Sequence, residues 1–324
     1  MRAFLTGGTG FVGSHVAEAL LARGDTVVCL ARQPGQAVAL AARGVEVVPG
    51  SLDDAASLER AAAGADVVYH IAGLTAAFSE AEFFAVNEGG TRRLIDAVRR
   101  AAPGLQRLVY VSTQAALGPS PPAERLAEDA PCRPLSAYGR SKLAGETAVR
   151  TAELPWTIVR PPVVYGPRDR EFFRLFPLVR RGLNPVFGWG TQPLSTVFAP
   201  DLAEAIVLAG TVPGAASQVY HAAHAEAVTY RDVGLAIGRA LGKRPLTLPV
   251  PIPVAAAIVW AMERAAWAAD RRSVVSTDRL GEFRAPAWLL SVERAARDLG
   301  WRAAHDLEAG MRKTAAWYRA EGWL

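Results

Sequence analysis

The chain opens on a short apolar run, Ala3 to Leu5, that passes into Thr6-Gly7-Gly8-Thr9-Gly10-Phe11-Val12-Gly13 and then a helix-forming stretch, Ser14 to Arg23. A strand that turns through glycines into a helix lets the backbone come close to whatever sits at the turn, because no Cβ stands in the way. The start of the helix adds unpaired N–H groups and the positive end of a dipole. These are the requirements of a dinucleotide pyrophosphate, and Gly7, Gly10, Phe11, Val12 and Gly13 are its candidate contacts.

The strand–helix alternation then repeats along the first half of the chain. The pattern predicts strands at 3–5, 26–30, 45–48, 67–71, 108–111 and 156–159, and helices at 11–23, 36–43, 54–63, 82–100 and 137–151. Ser51-Leu-Asp-Asp54 has capping-box spacing ahead of the third helix, and Thr229-Tyr-Arg-Asp232 repeats it later, with Ser291 and Asp306 as further N-caps. Such alternation implies an α/β fold, a doubly wound parallel sheet with its ligand at the carboxyl ends of the strands. Beyond Arg160-Pro161-Pro162 the pattern becomes aromatic-rich and then mainly helical, with 219–221 reading as one more strand. The expected organisation is a dinucleotide-binding domain over 1–165, to which 196–222 returns, interleaved with a smaller substrate-binding part over 166–324.

Composition excludes several classes. Of the 324 residues 51% are hydrophobic and 21% charged, which is ordinary for a globular chain, and the net charge of +5 is mild. The Arg-Arg pairs at 92–93, 99–100, 180–181 and 271–272 are scattered, and no basic tract with interleaved aromatics points to nucleic acid. Two cysteines without a C-x-x-C pair, and five histidines without ligand spacing, give neither a disulfide framework nor a metal site. Cys29, in an apolar run, reads as a small core residue. A strand beginning at residue 2 leaves no room for a signal peptide, so a cytoplasmic location is expected. The apolar run Val250 to Met262 is too short to cross a membrane and reads as a core helix, with a membrane-surface or substrate-wall role as the alternative.

The chemistry sits in Tyr138-Gly-Arg-Ser-Lys142. Four residues apart on a helix, the two side chains leave the same face. A phenol ionises near pH ~10, and an adjacent ammonium favours the phenolate, which makes the tyrosine a usable proton donor or acceptor.

The G-x-x-G-x-x-G spacing of Gly7, Gly10 and Gly13, with Y-x-x-x-K, resembles the extended short-chain dehydrogenase/reductase superfamily and its NAD-dependent epimerase/dehydratase family, which share a Rossmann core. The resemblance implies a catalytic Ser or Thr twenty-five residues before the tyrosine; that position is Thr113 in Val109-Tyr-Val-Ser-Thr113, preferred over its neighbour Ser112. It implies that Lys142 holds the nicotinamide ribose, that Ala72 in Val68-Tyr-His-Ile-Ala-Gly73 lines the adenine ribose, and that Asn87 serves architecture. Pro161 and Val164 of Arg160-Pro-Pro-Val-Val-Tyr-Gly-Pro167 would face the nicotinamide. A homodimer through segments 82–100 and 137–151 is implied in the same way.

Departures from that pattern are informative. NAD-preferring members end the second strand with an acid; here Leu30-Ala31-Arg32 stands instead, favouring NADP over NAD, with Arg32 as the 2′-phosphate partner. Ser51 replaces an acid near the adenine, leaving Leu52 as the packing residue. Gln114-Ala115 replaces the dehydratases' Asp-Glu pair, and Leu194 replaces the epimerases' diphosphate arginine, although Arg168, Arg170 or Arg174 offers a displaced substitute. The nearest likeness is therefore the 3β-hydroxysteroid dehydrogenase and dihydroflavonol-reductase branch. The expected function is NAD(P)-dependent hydride transfer on a carbonyl or alcohol of a small, uncharged or lipophilic substrate, its pocket lined from Phe78, Phe172, Phe173, Phe187 and Trp189. Sugar epimerisation is the alternative, and a non-catalytic redox-sensing dinucleotide-binding protein the third reading.

Overall fold

The computed structural model describes residues 1–270, 272, 274 and 276–324; Arg271 of the last arginine pair lies outside them. In chain order the first half runs β1 (Arg2–Thr6), α1 (Phe11–Ala22), β2 (Thr26–Ala31), α2 (Val38–Ala41), β3 (Glu46–Pro49), α3 (Ala55–Ala62) and β4 (Val67–His70). Next come α4 (Glu80–Phe84), α5 (Gly90–Ala101), β5 (Arg107–Val111), α6 (Gln114–Leu117), α7 (Ala137–Arg150) and β6 (Trp156–Arg160). The second half holds β7 (Val163–Tyr165), α8 (Arg170–Phe173), α9 (Leu175–Arg180), β8 (Leu183–Phe187), β9 (Pro193–Leu194), β10 (Thr196–Phe198), α10 (Ala199–Thr211), β11 (Gln218–His221) and β12 (Val228–Thr229). It ends with α11 (Tyr230–Ala240), β13 (Leu246–Val250), α12 (Ile252–Ala268), α13 (Leu280–Arg284), α14 (Glu293–Asp298) and α15 (Leu307–Ala320).

Seven strands make one parallel sheet in the order β11-β6-β5-β4-β1-β2-β3. Each inner strand is buried on both faces, so its sequence is a continuous apolar run rather than an alternation. Val16, Leu20, Leu202 and Ile206 of α1 and α10 cover one face, and Leu58, Leu94 and Val149 of α3, α5 and α7 cover the other. The doubly wound sheet agrees with the expectation. Its strand order reverses at β1, which pairs with β2 on one side and β4 on the other, and the ligand crevice opens there. A separate aromatic core, built on Tyr165, Phe176, Met311 and Tyr318, holds the helices α9, α11 and α15 together.

Several local expectations need correction. The helix expected over 36–43 is a 3₁₀ turn at Pro34–Ala37 followed by the single turn α2. Pro34 and Gly35 suit a tight turn better than a regular helix. The helix expected over 82–100 is interrupted by a π-turn at Ala85–Gly89. Its wider backbone turns Asn87 inward, where the amide accepts from Leu74 N (2.8 Å) and donates to the Ser141 hydroxyl (2.9 Å). The cap of α3 is Asp54, which accepts from Ser57 N, and not Ser51, whose hydroxyl accepts from Asp53 N. Thr229 and Asp232 do form a reciprocal capping box. Asp306 caps α15, whereas α14 starts from Val292, one residue after Ser291.

The largest misreading concerns the run 250–262. It forms α12 as a helix, but only Ala255 and Val259 of that helix are buried, so it is not a core element. Hydropathy records that a stretch prefers burial, not whether the fold supplies a partner. Phe172 and Phe173 pack, partly buried, against the aromatic core beside Tyr165 and Tyr318. Cys29 is fully buried, and burial pushes its thiol up to about 11, as a core residue should behave.

One buried ion pair joins sheet to helix. Arg160, at the end of β6, donates Nε and Nη2 to the two Glu146 oxygens of α7 at 2.8 and 2.7 Å, and the Ser112 hydroxyl donates to the same carboxylate at 2.6 Å. Both charges are almost wholly excluded from water, so each is tolerable only with the other. Glu146→Ala should therefore cost about 3–5 kcal/mol of unfolding free energy, measured by urea denaturation, by stranding the guanidinium. Adding Arg160→Met to that variant should recover much of the loss.

Candidate active site

The glycine turn has little freedom. Gly7 has φ +77°, and a Cβ on it would lie 2.6 Å from Ala72 N; a Cβ on Gly13 would lie 2.0 Å from the Gly7 carbonyl oxygen. The turn therefore presses directly on the ends of β4 and α1. Gly10 caps α1 without any side-chain hydrogen bond, and no acidic residue occupies its first turn. The N–H groups around Phe11 and Val12, both half-buried, are thus left to an anion. That cradle fits a dinucleotide pyrophosphate.

The ends of β4 and β1 are tied by a buried chain of hydrogen bonds. Ala72 N donates to the Thr6 hydroxyl (3.3 Å), which meets His70 Nδ1 at 2.7 Å, while His70 Nε2 meets the Thr91 hydroxyl at 2.9 Å. Burial holds the imidazole down to about 3, with Lys142 adding to the effect, so His70 is a neutral strut at physiological pH. Ala72 lies beside the glycine turn, its N 2.6 Å from where a Cβ on Gly7 would stand. Arg32 is exposed just past β2. Ser51 and Leu52 follow β3, and Leu52 packs on Gly90, where a Cβ would lie 2.9 Å from its Cδ1. Pro161 accepts from Gln114 N at 2.8 Å, and Val164 sits in β7 opposite Val197.

Thr113, Tyr138 and Lys142 converge beyond β5. Ser136 caps α7 by accepting from Gly139 N, which starts the helix just before the tyrosine. Tyr138 lies 8% exposed among Leu74, Ala77, Phe83 and Ala115. Burial raises its pKa, whereas Arg279 and the hydroxyl of Thr113 favour its ionised form and Glu282 opposes it. One turn on, Lys142 Nζ donates to the Val111 carbonyl at 2.8 Å and lies 4.2 Å over the Tyr110 ring. A Cβ on Gly73 would lie 3.6 Å from that nitrogen, so the ammonium spans the ends of β5 and β4. Burial brings its pKa down to about 7, partly offset by Glu146. Thr113 caps α6, its Oγ1 accepting from Ala115 N. Ser112 is committed to Glu146, which leaves Thr113 as the hydroxyl on the site side.

The family is decided by comparison. The profile of the NAD dependent epimerase/dehydratase family matches residues 3–223. The chain belongs to that family. It is similar to the ceramide reductase of Caulobacter vibrioides, 32% identical over 99% of this chain and 95% of that one. It is also similar to the 4-hydroxy-2-methyl-3-oxo-4-farnesyl-3,4-dihydroquinoline-1-oxide ketoreductase of Stigmatella aurantiaca, 31% identical over 93% of this chain and 92% of the other. Among solved structures, the UDP-glucose 4-epimerase of Thermus thermophilus in complex with NAD superposes with a TM-score of 0.78 at 27% identity, covering 98% of this chain and 99% of its own. This family member is an NAD(P)-dependent extended short-chain dehydrogenase/reductase acting on CH–OH or C=O groups.

Residues without a local sequence signal come from far along the chain. Asp278 accepts from Ala137 N at 2.9 Å, Glu282 accepts from the Ser136 hydroxyl at 2.6 Å, and Arg279 lies 4.8 Å over the Tyr138 ring. Glu282 and Arg279 also pair at 3.1 Å. Nothing in the local sequence marks this strap, because its partners lie about 140 residues earlier. Gln114 is a second omission. In the sequence it stands out only as a missing acid, yet it is buried beside Thr113 with an Nε2 that finds no partner among the described residues.

Arg279 favours the Tyr138 phenolate, so its removal raises the phenol pKa. A tyrosine that must be protonated to act as donor loses activity as pH rises through that pKa. Arg279→Gln should therefore move the alkaline limb of the kcat/KM profile to higher pH, while Arg279→Lys leaves it near the parent position.

Proposed function

We propose that the chain reduces the carbonyl of an uncharged, lipophilic substrate, with NADP(H) as the preferred carrier. The observation that carries this reading is the apolar setting of Tyr138. Leu74, Ala77, Phe83 and Ala115 pack around the phenol, and Phe187, Phe283 and Tyr230 cluster on the strap side. Cations suited to a diphosphate are engaged elsewhere. Arg168 binds Glu18 and His15 of α1, Arg170 stacks on Trp323, and Arg174 pairs with Glu171. Leu194 is buried in its short ribbon. The relatives named as reductases of a ceramide and of a farnesylated quinoline oxide point the same way.

Each group has its own share of the work. Gly7, Gly10, Phe11, Val12 and Gly13 hold the pyrophosphate, Ala72, Ser51 and Leu52 flank the adenosine, and Pro161 and Val164 border the nicotinamide. The bound nicotinamide supplies or accepts the hydride. Tyr138 gives its phenolic proton to the oxygen that gains charge, and the hydroxyl of Thr113 orients that oxygen. Lys142 anchors the ribose and returns positive charge to the site when an anionic carrier raises its pKa again.

Consumption of NADPH with a panel of long-chain and polycyclic ketones tests the reading. Tyr138→Phe should cut kcat by about 10²–10⁴-fold while leaving cofactor binding intact. Interconversion of UDP-sugars without net NADPH consumption, and no turnover of any ketone, would overturn it in favour of epimerisation.

The carrier preference rests on Arg32, exposed past β2 where no carboxylate stands. A charge-assisted hydrogen bond contributes about 1.5–3 kcal/mol. Arg32→Glu should accordingly raise the KM for NADPH at least about tenfold and leave the KM for NADH unchanged or lower.

A further inference from the structure

We propose that α12 is an in-plane docking helix that seats this protein on a lipid bilayer carrying anionic headgroups. Helix α12 rests on the body through Ala255 and Val259 and turns most of its circumference outward. Val254, Ile258 and Met262 recur every four residues on the exposed side, and Trp260 and Trp267 lie seven apart, Trp260 being 55% exposed. At 17 residues the helix is about 26 Å long. No helix among the described residues is long and apolar enough to cross a membrane, and a helix of this length with apolar side chains exposed along it suits a position in the plane of a surface. Its one arginine on the outer side, Arg264, stacks 5.8 Å from the Trp260 ring and 5.0 Å from the Trp267 ring. That is the arrangement of a basic side chain whose stem follows apolar neighbours while its head reaches for the headgroup layer.

Charge favours a bilayer over a second copy of the chain. The parallel ribbon that leads into α12 pairs Leu183 of β8 with Leu246 of β13, both exposed, at its end away from the helix. Arg180 and Arg181 precede the first and Lys243 and Arg244 precede the second, all four exposed. Exposed leucines set beside basic pairs match an acidic lipid surface. A second copy seated through its own α12 would offer Arg264 no free carboxylate from that helix, because its one acid, Glu263, is engaged by Thr277. Asp270 is an exposed acid at the far end of α12, while Glu263 is turned to the body, accepting from the Thr277 N–H and hydroxyl. Through Glu263 the docking helix holds Thr277, the neighbour of Asp278 in the strap over Tyr138, and Trp189, 76% exposed, follows the glycine whose Cβ position lies 3.7 Å from Ile252.

Co-sedimentation of the full chain with phosphatidylcholine vesicles, with and without phosphatidylglycerol, tests this. Binding should require the anionic lipid and weaken as salt is raised, and tryptophan emission should shift to the blue. The double variant Ile258→Glu with Trp260→Glu alters exposed positions only, should unfold at the parent temperature, and should bind at least about tenfold more weakly; Arg264→Glu should lose the preference for phosphatidylglycerol. Absence of vesicle binding by the parent, undiminished binding by the double variant, or a parent dimer that the double variant converts to monomer would each overturn the proposal. Because the readout is binding, its failure leaves the ketone reduction standing, and the reverse holds as well.

Discussion

The position of α7 on the sheet decides what this site can do, and one buried carboxylate sets that position. Glu146 takes the guanidinium of Arg160 from β6 and the hydroxyl of Ser112 from the end of β5, so a single group fixes the helix against two strands at once. One turn earlier on the same helix is Lys142, and one turn before that Tyr138. An anionic group this deep is costly without its partners and directional with them. The Tyr138–Lys142 face of α7 therefore has one register available, and the amine and phenol cannot drift relative to the strand ends.

Much of this is legible in the sequence because it is local. The glycine turn, the Y-x-x-x-K pair and the β–α alternation depend on residues within one turn or one strand of each other, and the sheet follows from them. The π-turn at Asn87 is not legible, since its cause is a set of hydrogen bonds to Leu74 and Ser141 that the helical pattern of 82–100 does not encode. Neither is the strap. Asp278, Arg279 and Glu282 have no distinctive spacing, and their meaning appears only when the chain folds back onto the start of α7. In α12 the error runs the other way: the stretch is as apolar as its composition says, but nothing among the described residues lies over most of it.

The electrostatics move the tuning of the phenol from the cation that spacing suggests to another. From spacing alone, the tuning of Tyr138 falls to Lys142. In the folded chain Lys142 is itself so desolvated that its pKa falls to about 7, and its closest polar partner is the Val111 carbonyl. The cation that acts on the phenol is instead Arg279. It faces the ring from the strap side, with Glu282 limiting its effect. Division of labour results: the guanidinium biases the phenol, while the desolvated amine bridges the strand ends through the Val111 carbonyl.

That division also gives the strap a reason to be where it is. A residue that biases Tyr138 from a segment that Glu263 of α12 holds through Thr277 makes the state of the phenol depend on how that segment sits. The contacts that hold it are few and polar: an N–H to Asp278, a hydroxyl to Glu282 and a guanidinium over a ring. Each is reversible at modest cost, unlike the Glu146–Arg160 pair behind α7. Rigid anchoring on the sheet side and light anchoring on the strap side lets the cover yield while the phenol beneath it keeps its place.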